Sequence, residues 1–206
     1  CPRCGTGLAS HEVAQGYKMI KTESAYVKFK AVDEDAYFLA WTTTPWTLPS
    51  NVTLAVNPEV DYVKVDVEGE KLYLAKDLLD VALNKEYEVL EELKGSDLLN
   101  RRYEQLIDDI EVKGDAFYIV AADYVTTTDG TGIVHTAPAF GEDDYETSRK
   151  HNFPIINPVD DEGKFMDTRW KGLGVMDADP EIISYLRDSG KLYRTQKIEH
   201  NYPHCW

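Results

Sequence analysis

Apolar and polar side chains alternate through much of the first half of the chain, the period-2 mark of strands. Residues 24–32 (SAYVKFKAV) and 36–43 (AYFLAWTT) predict strands, the second largely buried. The pattern continues through 52–56 (VTLAV), 61–67 (DYVKVDV) and 71–75 (KLYLA), with EGE at 68–70 as a hairpin turn between the last two. Helical spacing follows in 76–84, where Leu78, Leu79, Ala82 and Leu83 share one face. A second short helix is predicted over 96–106, capped by Ser96 or Asp97. Residues 116–125 (AFYIVAADYV) return to strand, then comes the turn TTDGTG and an apolar strand over 133–137 (IVHTA). Residues 141–152 place acids in the first turn and bases in the last, as a helix dipole favours. A final helix over 179–191 has Asp179 as N-cap, Pro180 at its first position and Gly190 closing it. Many short strands with a few peripheral helices predict a mainly β fold, a closed or partly closed β-barrel or tightly curved sheet.

Composition narrows the picture. The chain has 206 residues, 43% of them hydrophobic, enough for one cored domain. No apolar run approaches the roughly 18 residues that span a membrane, and no signal segment opens the sequence. It starts on Cys1 and stops at NYPHCW, which reads as a piece of a longer protein. A formal charge of −15 repels phosphate, so any nucleic-acid contact should involve a short single-stranded end gripped elsewhere. Three cysteines, two of them in a C-x-x-C, speak against a secreted disulfide framework and for a cytoplasmic protein.

Those cysteines sit at the two ends, in CPRCG (1–5) and YPHCW (202–206). Cys1, Cys4 and Cys205 are candidate ligands of a structural zinc, with His200, His204 or a cysteine beyond Trp206 as the fourth. On this reading residues 1–10 and 198–206 are halves of a zinc-ribbon-like junction, and 11–197 form the barrel domain.

Two stretches are chemically dense. WTTTPWTLPSN (41–51) sets the hydroxyls of Thr42, Thr43 and Thr44 in a row beside a corner stiffened by Pro45 and Pro49. Trp41 reads as core, and Trp46 as a rigid wall or stacking platform for a base. TGIVHTAPAFGEDD (131–144) takes His135 off an apolar strand and opens a helix with Asp143 and Asp144. A histidine leaving a strand and a carboxylate on the next turn converge readily on one pocket. His135, Asp143, Asp144 and His151 match no standard metal-ligand spacing. There is no G-x-S-x-G elbow, no G-x-G-x-x-G and no phosphate loop, and no cysteine lies near His135. Hydroxyls, an imidazole and a carboxylate without a nucleophile suit binding, or hydrolysis by a positioned water.

Taken together, WTTTPWTLPSN and GTGIVHTAPAFGEDD resemble the editing domain inserted into isoleucyl-tRNA synthetases, which are class I enzymes. The resemblance covers essentially the whole chain. The related valyl and leucyl enzymes usually carry an arginine after the paired threonines, where this chain has Thr44, which favours the isoleucyl type. The resemblance implies a post-transfer aminoacyl-tRNA deacylase that removes valine from tRNA(Ile) and excludes isoleucine by size. It implies that Asp144 binds the substrate α-ammonium and that His135 lines the side-chain pocket. Thr42, Thr43 and Thr44 would surround the ester and its water, while Trp46 and Asn51 would hold the terminal adenosine. Implied partners are the aminoacylated 3′ end of tRNA(Ile) and the rest of the parent synthetase, in a monomer, with no cofactor for editing. Three alternatives remain at this point: a valyl-type domain removing threonine, a non-catalytic aminoacyl- or adenosine-binding module, and a metal hydrolase built on His135 and the aspartates.

Overall fold

A computed structural model of the protein describes residues 16–203, so Cys1, Cys4, His204 and Cys205 of the expected zinc junction lie outside them. Nine strands are present among the described residues: β1 (Tyr17–Lys30), β2 (Tyr37–Thr42), β3 (Thr53–Val56), β4 (Asp61–Val67), β5 (Glu70–Ala75), β6 (Glu88–Lys94), β7 (Ile119–Ala121), β8 (Ile133–Thr136) and β9 (Leu192–Pro203). Six form one sheet in the order β6-β4-β5-β2-β1-β9, and three form a second in the order β7-β3-β8. All neighbours are antiparallel except β2–β5 and β3–β7.

Period-2 alternation places side chains on both faces of the large sheet. Val27 and Phe29 of β1, Phe38 and Ala40 of β2, and Tyr73 and Ala75 of β5 point into the main core. Their neighbours Tyr26, Leu39, Leu72 and Leu74 build a second core on the opposite face, with Val63 and Val65 of β4. The main core also takes Leu54, Val56 and Ile133 from the small sheet, so the two sheets share it. Helix α3 (Val175–Asp188) buries Ala178, Ile182 and Leu186 in that same core. A third cluster, with Ala55, Val120 and Phe153, covers the far side of the small sheet.

The strands do not close into the expected barrel. After β2 the chain turns through a 3-10 helix (Pro45–Ser50), and β3 then pairs with β7 and β8 instead of continuing the large sheet. The sheets are tied by bonds outside the ladders. Ala75 N–H donates to the Thr131 carbonyl at 2.8 Å, and the Tyr62 hydroxyl donates to the Gly132 carbonyl at 2.6 Å.

Several elements differ from the sequence reading. The helix expected over 96–106 is one 3-10 turn, Gly95–Leu98, because Asn100 turns into the left-handed region (φ 64°) and the next residues bridge to other segments. Ala31 pairs with Tyr103 there, and Arg102 with Tyr118. The helix over 76–84 shrinks to a 3-10 turn, Lys76–Leu78, and a single α-turn, α1 (Leu79–Ala82). Of the strand expected over 116–125 only Ile119–Ala121 pairs. Helix α2 (Glu142–His151) falls where its dipole pattern puts it. Helix α3 starts four residues before Asp179, with Gly174 as N-cap, so Asp179 does not cap α3 and Pro180 lies inside the helix. Strands β6 and β9 had no counterpart in the hydrophobic pattern. The last pairing of β9 sets Pro203 opposite Tyr17, so the two ends of the described chain run side by side.

Candidate functional site

The threonine row is where β2 ends. Thr42 is its last residue, and the Thr44 N–H donates back to the Thr42 hydroxyl at 3.1 Å. Pro45 then opens the 3-10 helix, whose first bond runs from Thr47 N–H to the Thr44 carbonyl at 3.0 Å. Proline suits this first position, because its fixed φ costs nothing there and its absent N–H would lack a helical partner anyway. The Thr43 hydroxyl makes no hydrogen bond among the described residues.

His135 comes from β8, opposite Leu54 of β3, and is 8% exposed. Its ring is held at both nitrogens, and the donor directions form a consistent chain. The Tyr103 hydroxyl donates to Asn51 Oδ1 at 2.8 Å, and Asn51 Nδ2 donates to the Thr53 carbonyl at 2.9 Å. The same Nδ2 faces His135 Nδ1 at a long 3.5 Å, so Nδ1 is the acceptor. His135 Nε2 lies 2.9 Å from the Thr47 hydroxyl, which already donates to the Thr44 carbonyl at 2.9 Å. Nε2 therefore carries the proton and donates it. Burial lowers the His135 pKa from 6.5 to about 4. The imidazole is neutral at physiological pH, and its acceptor nitrogen faces the Asn51 amide, which is not part of the cleft lining.

Asp144 lies in the first turn of α2, which it reaches after the chain bends through Pro138 and Gly141. One carboxylate oxygen accepts the Ala137 N–H at 2.8 Å, and the other has no protein partner among the described residues. Burial raises its pKa, the Ala137 N–H opposes that rise, and neighbouring Asp143 adds to it. A half-buried carboxylate with one oxygen fixed and one free is set up to accept a cation.

These residues share one cleft of about 340 Å³, at the small end of ligand sites, which run from about 300 to 1,000 Å³. Thr42, Thr43, Thr44, His135 and Asp144 all line it, and Thr47, Tyr124, Asp129 and Phe140 are among the other residues on its walls. Thr47 was absent from the sequence reading. Its three-residue spacing from Thr44, beyond a proline at the first helical position, is the signal that would have found it. Tyr124, Asp129 and Phe140 carry no comparable local signal.

Two expected contacts fall elsewhere. Asn51 is 4% exposed and its amide is committed to Tyr103, Thr53 and His135, so it orients the histidine from behind and does not line the cleft. Trp46 does not line it either. Its ring packs edge-on against Phe140, with centroids 4.7 Å apart, and of these two rings it is Phe140 that lines the cavity. Trp41, read as core, is only half-buried and is part of the cleft wall. Asp143 is exposed, and His151 packs on Phe153 outside the cleft. Among the described residues no three His, Cys, Asp or Glu side chains converge as a metal site requires.

No protein-family model matches the sequence. The fold is similar to the crystal structure of GlLeuRS-CP1, with a TM-score of 0.71 and 14% identity over 88% of this chain and 100% of that one. It is also similar to the P. knowlesi cytosolic leucyl-tRNA synthetase editing domain, with a TM-score of 0.64 and 14% identity over 92% and 99% of the two chains. The fold is thus that of the connective-peptide editing domains of class I aminoacyl-tRNA synthetases. In sequence, the whole chain aligns with isoleucine–tRNA ligases: 58% identity to that of Clostridium novyi over 209 residues, and 48% to that of Thermoplasma volcanium over 209. The chain belongs to the isoleucyl-tRNA synthetase family and corresponds to its editing domain. It spans 20% of the length of these relatives.

Proposed function

We propose that the cleft is a post-transfer editing site, which hydrolyses the ester joining valine to the 3′ end of tRNA(Ile). The observation that carries this reading is the convergence of Thr42, Thr43, Thr44, His135 and Asp144 on one small cavity. The free oxygen of Asp144 receives the α-ammonium through a charge-assisted hydrogen bond. His135, neutral and immobilised at both nitrogens, is a steric wall against which a longer aliphatic side chain collides. One methylene is worth only about 1–3 kcal/mol to a binding pocket, a limit for which isoleucyl synthetases are themselves the known example, so a second, size-excluding site is needed.

Water attacks the ester carbonyl, the bond to the ribose oxygen breaks, and that oxygen leaves with a proton from the water. The products are free valine and an uncharged 3′ end. Since His135 turns its acceptor nitrogen towards Asn51 and away from the ester, the protein contributes mainly orientation, through the Thr43 hydroxyl and the fixed backbone of the threonine corner. Phe140, backed by Trp46, is the platform for the terminal adenosine. The side-by-side ends of β1 and β9 support a zinc junction of Cys1, Cys4 and Cys205 with His200 or His204, whose role would be structural.

The test is release of amino acid from valyl-tRNA(Ile) and isoleucyl-tRNA(Ile) by the full-length synthetase that carries this domain. Wild type should release valine and spare isoleucine. His135→Ala should hydrolyse isoleucyl-tRNA(Ile) at least about 10-fold faster than wild type, since removing the ring opens space worth more than one methylene. Equal rates on both esters in wild type would refute the size-exclusion reading, and hydrolysis of an added threonyl-tRNA with valyl-tRNA(Ile) spared would point to a valyl-type domain.

A further inference from the structure

Helix α3 lies outside the cleft, yet one of its side chains reaches the threonine corner. The Asp179 carboxylate accepts the backbone N–H of Trp46 at 2.7 Å, across 133 residues of sequence. We infer that Asp179 is a positioning residue, which holds the Thr44–Thr47 corner in register with the cleft. This inference rests on the ester-hydrolysis reading given above.

The opening residues of a helix have N–H groups without helical partners. Here the Thr44 N–H is taken by the Thr42 hydroxyl, and Pro45 has no N–H. The Thr47 N–H makes the first bond of the 3-10 helix, to Thr44. Trp46 N–H is the one donor left, and the acceptor that satisfies it comes from another element. Buried backbone donors nearly always find a partner, so the position of this acceptor fixes the position of the turn.

Both ends of the bond connect to something relevant. On one side Ala178 and Ile182 are fully buried in the main core, which makes α3 a rigid anchor for Asp179. On the other, Trp46 lies between Thr44 and Thr47, and its ring supports Phe140, so a shift of its backbone would move three cleft residues. The carboxylate has been placed at a cost. Burial raises its pKa from 3.8 to about 7, the Trp46 N–H is the only group opposing that rise, and no charged neighbour contributes. The start of α3 at Val175, ahead of the expected boundary, frees Asp179 from capping and turns it towards the corner.

The test uses the full-length synthetase and valyl-tRNA(Ile), with Asp179→Asn, Asp179→Ala and Asp144→Ala. Asparagine keeps an oxygen where the Trp46 N–H needs one, and alanine removes it. A small misplacement of catalytic groups costs up to about 100-fold in rate. Asp179→Ala should lower kcat by about 10-fold or more with KM within about 2-fold, and Asp179→Asn should recover most of that loss while falling about 2- to 5-fold short of wild type. A wild-type kcat in Asp179→Ala, or a loss confined to KM, overturns the inference. Should the alanine variant not fold, Asp179→Leu, which keeps side-chain volume but offers the Trp46 N–H no acceptor, decides, and a wild-type kcat there overturns it. The Asp144→Ala arm separates the two readings. If it abolishes hydrolysis while Asp179→Ala does nothing, only the positioning role falls; if it leaves hydrolysis intact, the editing site itself is misassigned.

Discussion

His135, buried, and Asp179, half-buried, are ionisable side chains whose pH dependences oppose each other. His135 has a folded pKa of about 4 against 6.5 when exposed. Its contribution to stability is present above pH 6.5 and is lost as the pH falls through 4. Asp179 has a folded pKa of about 7 against 3.8 when exposed. Its contribution is present below pH 3.8 and is lost as the pH rises through 7. Between pH 4 and 6.5 the two slopes oppose, each worth at most about 1.4 kcal/mol per pH unit. Asp179→Asn removes one of them, so its thermal midpoint should rise with pH across this window more steeply than that of wild type. Parallel midpoint curves for the two proteins would contradict these assignments. His135 also shows what a sequence conceals about a single residue. Its membership of the cleft was legible from the strand-turn-helix context, whereas the chain of donors that orients its ring runs through Asn51 and Tyr103, 84 and 32 residues away in sequence, and left no local trace.

At the scale of elements, legibility followed how each strand is buried. β2, β4 and β5 alternate or are continuously apolar because they lie inside the sheet, and their pattern located them. β6 is an edge strand whose side chains are nearly all exposed, so Glu88–Lys94 (EVLEELK) had no buried face to betray it. β9 is the opposite edge and is rich in charged and polar residues for the same reason. The expected helix over 96–106 failed because Tyr103 is buried against Phe29 and Phe117, and tertiary packing overrode local helical spacing. Turns are constrained more sharply. Gly132 has φ +72°, and a Cβ there would stand 2.4 Å from the Ala75 Cβ, at the junction between the sheets. Gly69, in the β4–β5 hairpin, has φ +90° and nothing within 4 Å of an added Cβ. Gly69→Ala should therefore cost only backbone strain, about 1–2 kcal/mol. Gly132→Ala should cost about 1–3 kcal/mol more, because the sheets must also move apart. Denaturant titrations giving equal losses for the two would show that the junction is not close-packed.

On the scale of the whole molecule, the fold arranges for segments distant in sequence to meet at one cleft: the end of β2, the strand β8 and the first turn of α2. That convergence was readable from the two dense motifs, because each carries its own turn chemistry. The open, two-sheet architecture was not, since alternation gives strand faces but not which edges meet. The formal charge of −15 bears on how such a cleft is reached. An acidic surface gains little from releasing counterions around a polynucleotide. The domain alone should therefore bind tRNA(Ile) at least about 100-fold more weakly than the full-length synthetase at the same salt, the difference being the phosphate contacts made elsewhere. A comparable affinity for the isolated domain in filter binding would mean that it carries its own phosphate-binding surface. The measurement that tests the central claim most directly is valyl-tRNA(Ile) hydrolysis by the full-length synthetase with Asp144→Ala. Loss of the α-ammonium anchor should lower kcat/KM by about 100-fold or more, corresponding to about 3 kcal/mol of charge-assisted hydrogen bonding. Hydrolysis at the wild-type rate would show that the cleft described here is not where the ester is cleaved.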